Sequence, residues 1–195
     1  WAAGTIAKQI EAEGEEEYVG RGISYCAICD GSFHEKQNVV VIGGGNSAIE
    51  EALYLAKICK KVTIITRGHH FRADPVLMEK VMRANNVDLV THHVITKFTG
   101  KDLLEQVTAK DRDSDNEIVL NVRGAFIYVG FTPSSTLLEN FDILDEDKYI
   151  IVDRNCETKV TGLYAAGDCI QKNIRQIATA VADGITCASA IVRKI

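Results

Sequence analysis

Apolar residues fall in two different rhythms along the chain. Val39–Ile42 is an unbroken apolar run without polar alternation. Such a run predicts a parallel strand buried on both faces. It leads into Gly43-Gly44-Gly45, and Ser47–Cys59 then reads as a helix. Ala48, Ala52, Leu55, Ala56 and Cys59 share one small apolar face of it. Val62–Thr66 is the next strand. Asp74 caps a second helix, with Pro75 at its first position, running to about Ala84. Beyond it the period shortens. Val87–His93, Val94–Phe98, Leu104–Ala109 and Glu117–Val122 predict short strands with charged turns, including Asp111–Asn116. They form a β-meander inserted in the α/β unit. Ala125–Val129 returns to a buried strand, and Gly130–Pro133 reads as a turn and domain boundary. Tyr149–Val152, Gly162–Ala166 and a final helix from about Arg175 to Val192 follow. Glu11–Glu17 is acidic, interrupted by glycine, and reads as an exposed loop.

Composition narrows the function classes. The 195 residues suffice for one large domain or two small ones. The net charge is −5 and no basic run occurs, so nucleic acid is not expected as a partner. No apolar stretch approaches the ~20 residues of a membrane helix. The opening residues lack a basic start and a long apolar run, so no leader is expected, and the chain reads as cytoplasmic. Six cysteines in such a chain point to chemistry at one or two of them. Cys59, Cys156, Cys169 and Cys187 are scattered singly and read as small apolar residues.

Cys26-Ala27-Ile28-Cys29-Asp30-Gly31 is the strongest chemical signal. Two cysteines at this spacing close a small, reducible disulfide, and Asp30 beside them supplies a proton donor and acceptor. Half of a zinc site, with His34 nearby, is the competing reading. Zinc wants four ligands, and no second close pair exists, so no metal site is expected. Gly43-Gly44-Gly45-Asn46-Ser47-Ala48 fits G-x-G-x-x-A between strand and helix. There, glycines let backbone N–H groups approach a pyrophosphate. The second strand ends Ile65-Thr66-Arg67 without a carboxylate for a ribose hydroxyl. Arg67 and Arg72 lie where a 2′-phosphate would be, which favours NADPH over NADH. His69 and His70 read as exposed loop histidines.

Taken together, these motifs resemble the low-molecular-weight thioredoxin reductases over nearly the whole chain. The resemblance rests on Gly20–Ser24 leading into Cys26–Gly31, Gly43–Ala48 followed by Glu50–Leu55, and Phe71-Arg72-Ala73. It continues through Tyr128–Pro133 and Ala165-Ala166-Gly167-Asp168 with Arg175-Gln176. It implies an α/β fold. A Rossmann-like NADPH domain at 7–131 carries the dithiol and an inserted meander in a three-layer ββα arrangement. Residues 1–6 and 132–195 are the C-terminal part of an FAD-binding domain. It also implies a homodimer that passes electrons from NADPH through FAD to the dithiol and on to a thioredoxin-like protein. By that resemblance Cys29 faces the flavin, Cys26 meets the partner's disulfide, and Asp30 shuttles the proton. Gly130, Gly167, Asp168, Arg175, Gln176 and Ile177 join the cofactor-binding set. Two short crossings, near Ala7–Ile10 and Phe131–Pro133, are expected to act as hinges for a domain rotation.

Three departures from the family pattern stand out. No strand followed by G-x-G-x-x-G precedes the dithiol, so only the tail of a flavin domain is expected. The family's His-Arg-Arg is Thr66-Arg67-Gly68 here, and relatives that use ferredoxin as donor are the alternative it leaves open. Trp1 matches nothing in the pattern. An isolated NADP-binding module with a silent dithiol is the second reading.

Overall fold

The computed structural model describes residues 1–194. The chain divides into two compact units: Gln9–Val129, and Trp1–Lys8 together with Gly130 onward.

In the first unit a parallel sheet has the order β2-β9-β3-β4-β5. Its strands are β2 (Ile23–Ser24), β3 (Asn38–Ile42), β4 (Lys61–Ile65), β5 (Val87–Val90) and β9 (Gly124–Ile127). Strand side chains alternate between faces. Val40 and Ile42 therefore enter one core, with Ile65, Phe98, Leu104 and Val107. Val39 and Val41 enter the other, with Ala48, Ala52, Leu55 and Phe126. The first core is closed by an antiparallel meander of β6 (His93–Gly100), β7 (Leu104–Asp111) and β8 (Glu117–Asn121). The second is closed by helices α3 (Asn46–Leu55) and α4 (Pro75–Met82). The result is the three-layer ββα arrangement. Val39, Val40 and Val41 are fully buried; burying each contributes about 1.5–3 kcal/mol. Asp74 caps α4 as expected, accepting from the Val76 N–H at 2.8 Å.

Several expectations need correction. Val87–Val90 is not part of the meander; it pairs in parallel with β4 as the sheet's edge strand. Four residues cannot show by periodicity which sheet they join. Glu11–Glu17 is exposed at Glu11, Glu13, Glu16 and Glu17 but is not loop throughout. It includes a short helix, α1 (Glu15–Tyr18), and Glu15 is only 2% exposed. Its carboxylate accepts the Ile10 and Glu11 N–H groups at 3.0 and 2.8 Å, and Tyr25 Oη donates to it at 3.2 Å. A buried carboxylate is tolerable only with such donors.

In the second unit β1 (Thr5–Ala7) pairs antiparallel with β10 (Phe131–Pro133), so the Gly130–Pro133 turn is for three residues a strand. That pairing places the unit boundaries two residues inside the 7–131 span at each crossing, at Gln9 and Val129. Tyr149–Val152 and Gly162–Ala166 form no strand; Ile150 and Tyr164 make only isolated bridges. They still bury Ile150 and Ala165, in one cluster with Cys169 and Ile170. The final helix, α5, spans Ile177–Val192 with Gln176 at its N-cap, and none of its residues is buried. Trp1 is anchored after all: its ammonium donates to Tyr164 O at 2.7 Å and its indole to Ser134 O at 2.9 Å. Among the described residues no helix is long and apolar enough to cross a membrane.

Candidate active site

Cys26 and Cys29 form a disulfide with Cα atoms 5.3 Å apart. The pair sits on a one-turn helix, α2 (Ala27–Asp30), with Cys26 as its N-cap. The Cys29 N–H points at Cys26 Sγ, 3.2 Å away. Cys29 is exposed and Cys26 half-buried.

Ser24, at the end of β2, ties this turn to Asp30. Its hydroxyl donates to Asp30 Oδ2 at 2.6 Å, and its oxygen accepts the Cys26 N–H at 3.0 Å. A hollow of about 520 Å³ opens beside Asp30, lined by Arg21, Ser24, Phe33, His34 and Arg123. His34 packs edge-on against Phe126, with ring centroids 5.5 Å apart. Burial lowers its pKa, partly opposed by Gln37 and Asp30.

The glycine loop lies in the same unit. Gly43 has φ +149°, and a Cβ there would sit 2.3 Å from Tyr128 O. A Cβ on Gly44 would sit 2.4 Å from Thr66 Oγ1. Gly45 differs: a Cβ there would meet nothing within 4 Å. Gly45 caps α3 without a side-chain hydrogen bond. Two glycines thus let the loop pack, and the third leaves open space before the uncapped N–H groups of Asn46, Ser47 and Ala48. That is the arrangement a phosphate requires. Asn46 Oδ1 accepts the Asp74 N–H at 2.8 Å, and the Arg72 N–H donates to Gly44 O at 2.6 Å. The Arg72 backbone is thereby fixed against the loop. The Arg67 and Arg72 side chains are exposed.

Three residues outside the predicted set matter. Tyr128 Oη accepts the Ala27 N–H at 2.7 Å, while its carbonyl backs Gly43. One residue therefore braces both the dithiol helix and the glycine loop. Burial is the main cause that raises its phenol pKa, with Glu51 and Asp30 adding to it. Tyr128 and Ser24 both lie in stretches quoted for the resemblance, but nothing in their spacing shows those contacts. Arg112, in the turn between β7 and β8, donates from Nη1 to Arg67 O at 3.2 Å, a contact 45 residues apart in sequence that no local pattern reveals.

The whole arrangement has a family. The family model for pyridine nucleotide-disulphide oxidoreductases matches residues 1–184. The chain belongs to that family. It is 40% identical to the thioredoxin reductase of Bacillus subtilis (strain 168) over 193 residues, covering 97% of this chain and 60% of the relative. Its fold is similar to the crystal structure of thioredoxin reductase from Streptococcus pyogenes MGAS5005, with a TM-score of 0.84 and 36% identity, over 98% of this chain and 63% of that one. The T. acidophilum thioredoxin reductase gives a TM-score of 0.80 at 35% identity, over 99% of this chain and 64% of that one. The chain thus spans about 60% of the length of the Bacillus relative.

The other expected oxidoreductase residues lie in the second unit. Gly130 and Gly167 have φ of +108° and +85°. Asp168 Oδ1 is buried without a hydrogen-bond partner, with Lys172 Nζ 3.7 Å away. Arg175 donates from Nε to Asp168 O at 3.3 Å and lies over the Tyr149 ring at 3.9 Å. Gln176 caps α5, and Ile177 is 86% exposed.

Proposed function

We propose that this chain carries the dinucleotide-binding and dithiol-bearing part of a flavin-dependent thioredoxin-disulfide reductase. The observation that carries the reading is the Cys26–Cys29 disulfide, held with Asp30 in the same compact unit as an open glycine loop.

The residues suit the two cofactors that this activity uses. Gly45 and the first turn of α3 offer N–H groups to a dinucleotide pyrophosphate, with Arg67 and Arg72 as the cations for a 2′-phosphate. Arg112 stands beside Arg67 as a third. The buried, unpartnered Asp168 Oδ1 suits a hydroxyl donor such as the flavin's ribityl chain. Gly130, Gly167, Arg175, Gln176 and Ile177 join it in the FAD reading. NADPH and FAD supply, when bound, the two electrons that open the disulfide.

The dithiol steps follow from this chain's own residues. Cys26 ionises, its thiolate favoured by the Cys29 N–H, and its proton passes to Asp30. The thiolate attacks a sulfur of the partner's disulfide; that S–S bond breaks and a Cys26–partner S–S bond forms. Asp30, oriented by Ser24, returns the proton to the departing sulfur. Cys29 then loses its proton through Asp30 and attacks Cys26 Sγ. The Cys26–Cys29 bond closes, and the partner leaves as a dithiol carrying two electrons and two protons. A thioredoxin-like protein is the expected partner, and a cytoplasmic homodimer the expected assembly.

The test uses the dithiothreitol-reduced chain and oxidised thioredoxin. Cys29→Ser should trap a mixed disulfide through Cys26, visible as an intact mass, and Cys26→Ser should not. Trapping by Cys26→Ser alone reverses the two roles. If neither variant traps thioredoxin, the substrate reading fails. Arg67→Ala should weaken NADPH binding far more than NADH binding. If neither nucleotide binds, ferredoxin becomes the donor to test.

A further inference from the structure

One cluster beside the Arg67–Arg72 loop has the donor set of a metal site. His69, His92 and Asp113 come from three separate segments: the loop after β4, the entry to β6 and the turn between β7 and β8. One ligand atom from each lies within 4.8 Å of the other two. We propose that these three residues bind a zinc ion. The proposal does not depend on the reductase reading.

The three loops are held together by other contacts. The His92 N–H donates to Gly68 O at 2.9 Å, and His92 O accepts the Arg112 N–H at 3.0 Å. Asp111 Oδ1 accepts the Asp113 and Ser114 N–H groups, both at 2.9 Å, which fixes the turn that carries Asp113. The three backbone segments are thus brought together by hydrogen bonds before any metal binds. His92 pays a backbone cost to be there, with φ +60°. A non-glycine residue in that region is uncommon and clusters at functional positions.

The His92 ring is the second observation. Its side chain is 12% accessible, and neither ring nitrogen has a hydrogen-bond partner. A carboxylate oxygen of Asp113 lies 2.9 Å from Nε2. The two are within ion-pairing distance but make no hydrogen bond. A cation bound here would replace this contact and give both atoms a partner. The His69 ring stacks on His92 at 3.8 Å, nearly parallel; it is exposed and on binding turns out of the stack to aim a nitrogen at the shared ion.

Two imidazoles and one carboxylate select zinc over magnesium or calcium, which want an all-oxygen shell. Three protein ligands leave a fourth position open, the pattern of an accessible site. Arg67 and Arg112 lie close by and oppose a cation. Asp111 and Asp115 on the same turn offset them, although Asp115 is shared with Lys110 at 2.6 Å. The affinity is accordingly below that of a closed four-ligand site.

The test titrates zinc into the chain with its disulfide closed, so that Cys26 and Cys29 contribute no thiolate, using a chromophoric chelator as competitor. One equivalent should bind. His69→Gln, His92→Asn and Asp113→Asn should each weaken binding by at least about tenfold. Asn at position 92 tolerates the left-handed backbone, so that variant keeps the fold. His70→Gln, beside the cluster but outside it, should bind zinc as the wild type does. In a second measurement without substitutions, zinc should shift the ring-nitrogen resonances of His69 and His92 and leave those of His70. Loss of binding in His70→Gln equal to that in His92→Asn, or no shift at His92, overturns the proposal.

Discussion

Replacing Gly44 and Gly45 with alanine, one at a time, separates packing from binding in the glycine loop. A Cβ on Gly44 would stand 2.4 Å from Thr66 Oγ1 and 3.1 Å from Thr66 Cβ. Thr66 is buried and β-branched, so it has little freedom to rotate away. Gly44→Ala therefore overpacks this corner and should cost about 1–3 kcal/mol. Adding Thr66→Ala deletes the closer contact and should restore most of that loss. Gly45 has φ −98° and ψ −178°, extended backbone that any residue adopts, and open space at its Cβ. Gly45→Ala should cost at most about 1 kcal/mol, the preference of an N-cap for glycine over alanine. Its methyl occupies the approach to the α3 N–H groups. Losing one charge-assisted hydrogen bond to phosphate costs about 1.5–3 kcal/mol, or roughly 10- to 150-fold in Kd. Urea denaturation with the disulfide closed reads the stabilities, and calorimetric titration with NADPH reads the affinities. A Gly45→Ala chain that binds NADPH like the wild type would refute the loop as a phosphate cradle. A Gly44→Ala chain as stable as the wild type, or one that Thr66→Ala does not improve, would refute the packing argument.

Three further outcomes follow from the same geometry. Tyr128→Phe leaves the Ala27 N–H without its acceptor and should lower stability by about 1–3 kcal/mol, seen as a lower urea midpoint at unchanged slope; an unchanged midpoint rejects the brace. Thiol titration of the denatured, oxidised chain should find four reactive cysteines, and six after reduction. In the folded chain Cys187 should react first, because burial pushes the Cys59 thiol up to about 11 and Cys156 and Cys169 are also buried. Tyr25 is pushed up to about 12, by burial first and then by the charge and hydrogen bond of Glu15. The fold favours its neutral phenol, so this contribution is present below the ordinary value of 10.0 and is lost as pH rises from there toward 12. The urea midpoint should fall over that window, and less steeply in Tyr25→Phe; equal slopes would show that Tyr25 is not responsible.

Local sequence carries what local physics enforces. Val39–Ile42 has to be buried on both faces because it offers no polar face. Asp74-Pro75 starts a helix because the carboxylate caps and the ring presets φ. Cys26-x-x-Cys29 brings two sulfurs within one turn, so the disulfide is legible, as is the glycine loop between strand and helix. Pairing is not local. Val87–Val90 reads equally well in either sheet, and only contact with β4 decides. Phe131–Pro133 reads as a turn because its partner, Thr5–Ala7, is more than a hundred residues earlier. Glu15 reads as solvated because its donors are two backbone N–H groups, which no sequence advertises, and a hydroxyl ten residues on, at Tyr25.

The candidate site divides the same way. The candidate reactive atoms, the two sulfurs and the Asp30 carboxylate, lie within five residues, and the sequence alone proposes them. What orients them it does not propose. Ser24 reaches Asp30 from the end of a strand, and Tyr128 reaches Ala27 from a strand end 101 residues away in sequence. The same holds for Arg112 beside Arg67 and for the meeting of His69, His92 and Asp113. A side chain's identity is written at its own position. Its partner is set by the topology that brings distant segments together, and that topology is decided by burying two apolar faces of one sheet at once.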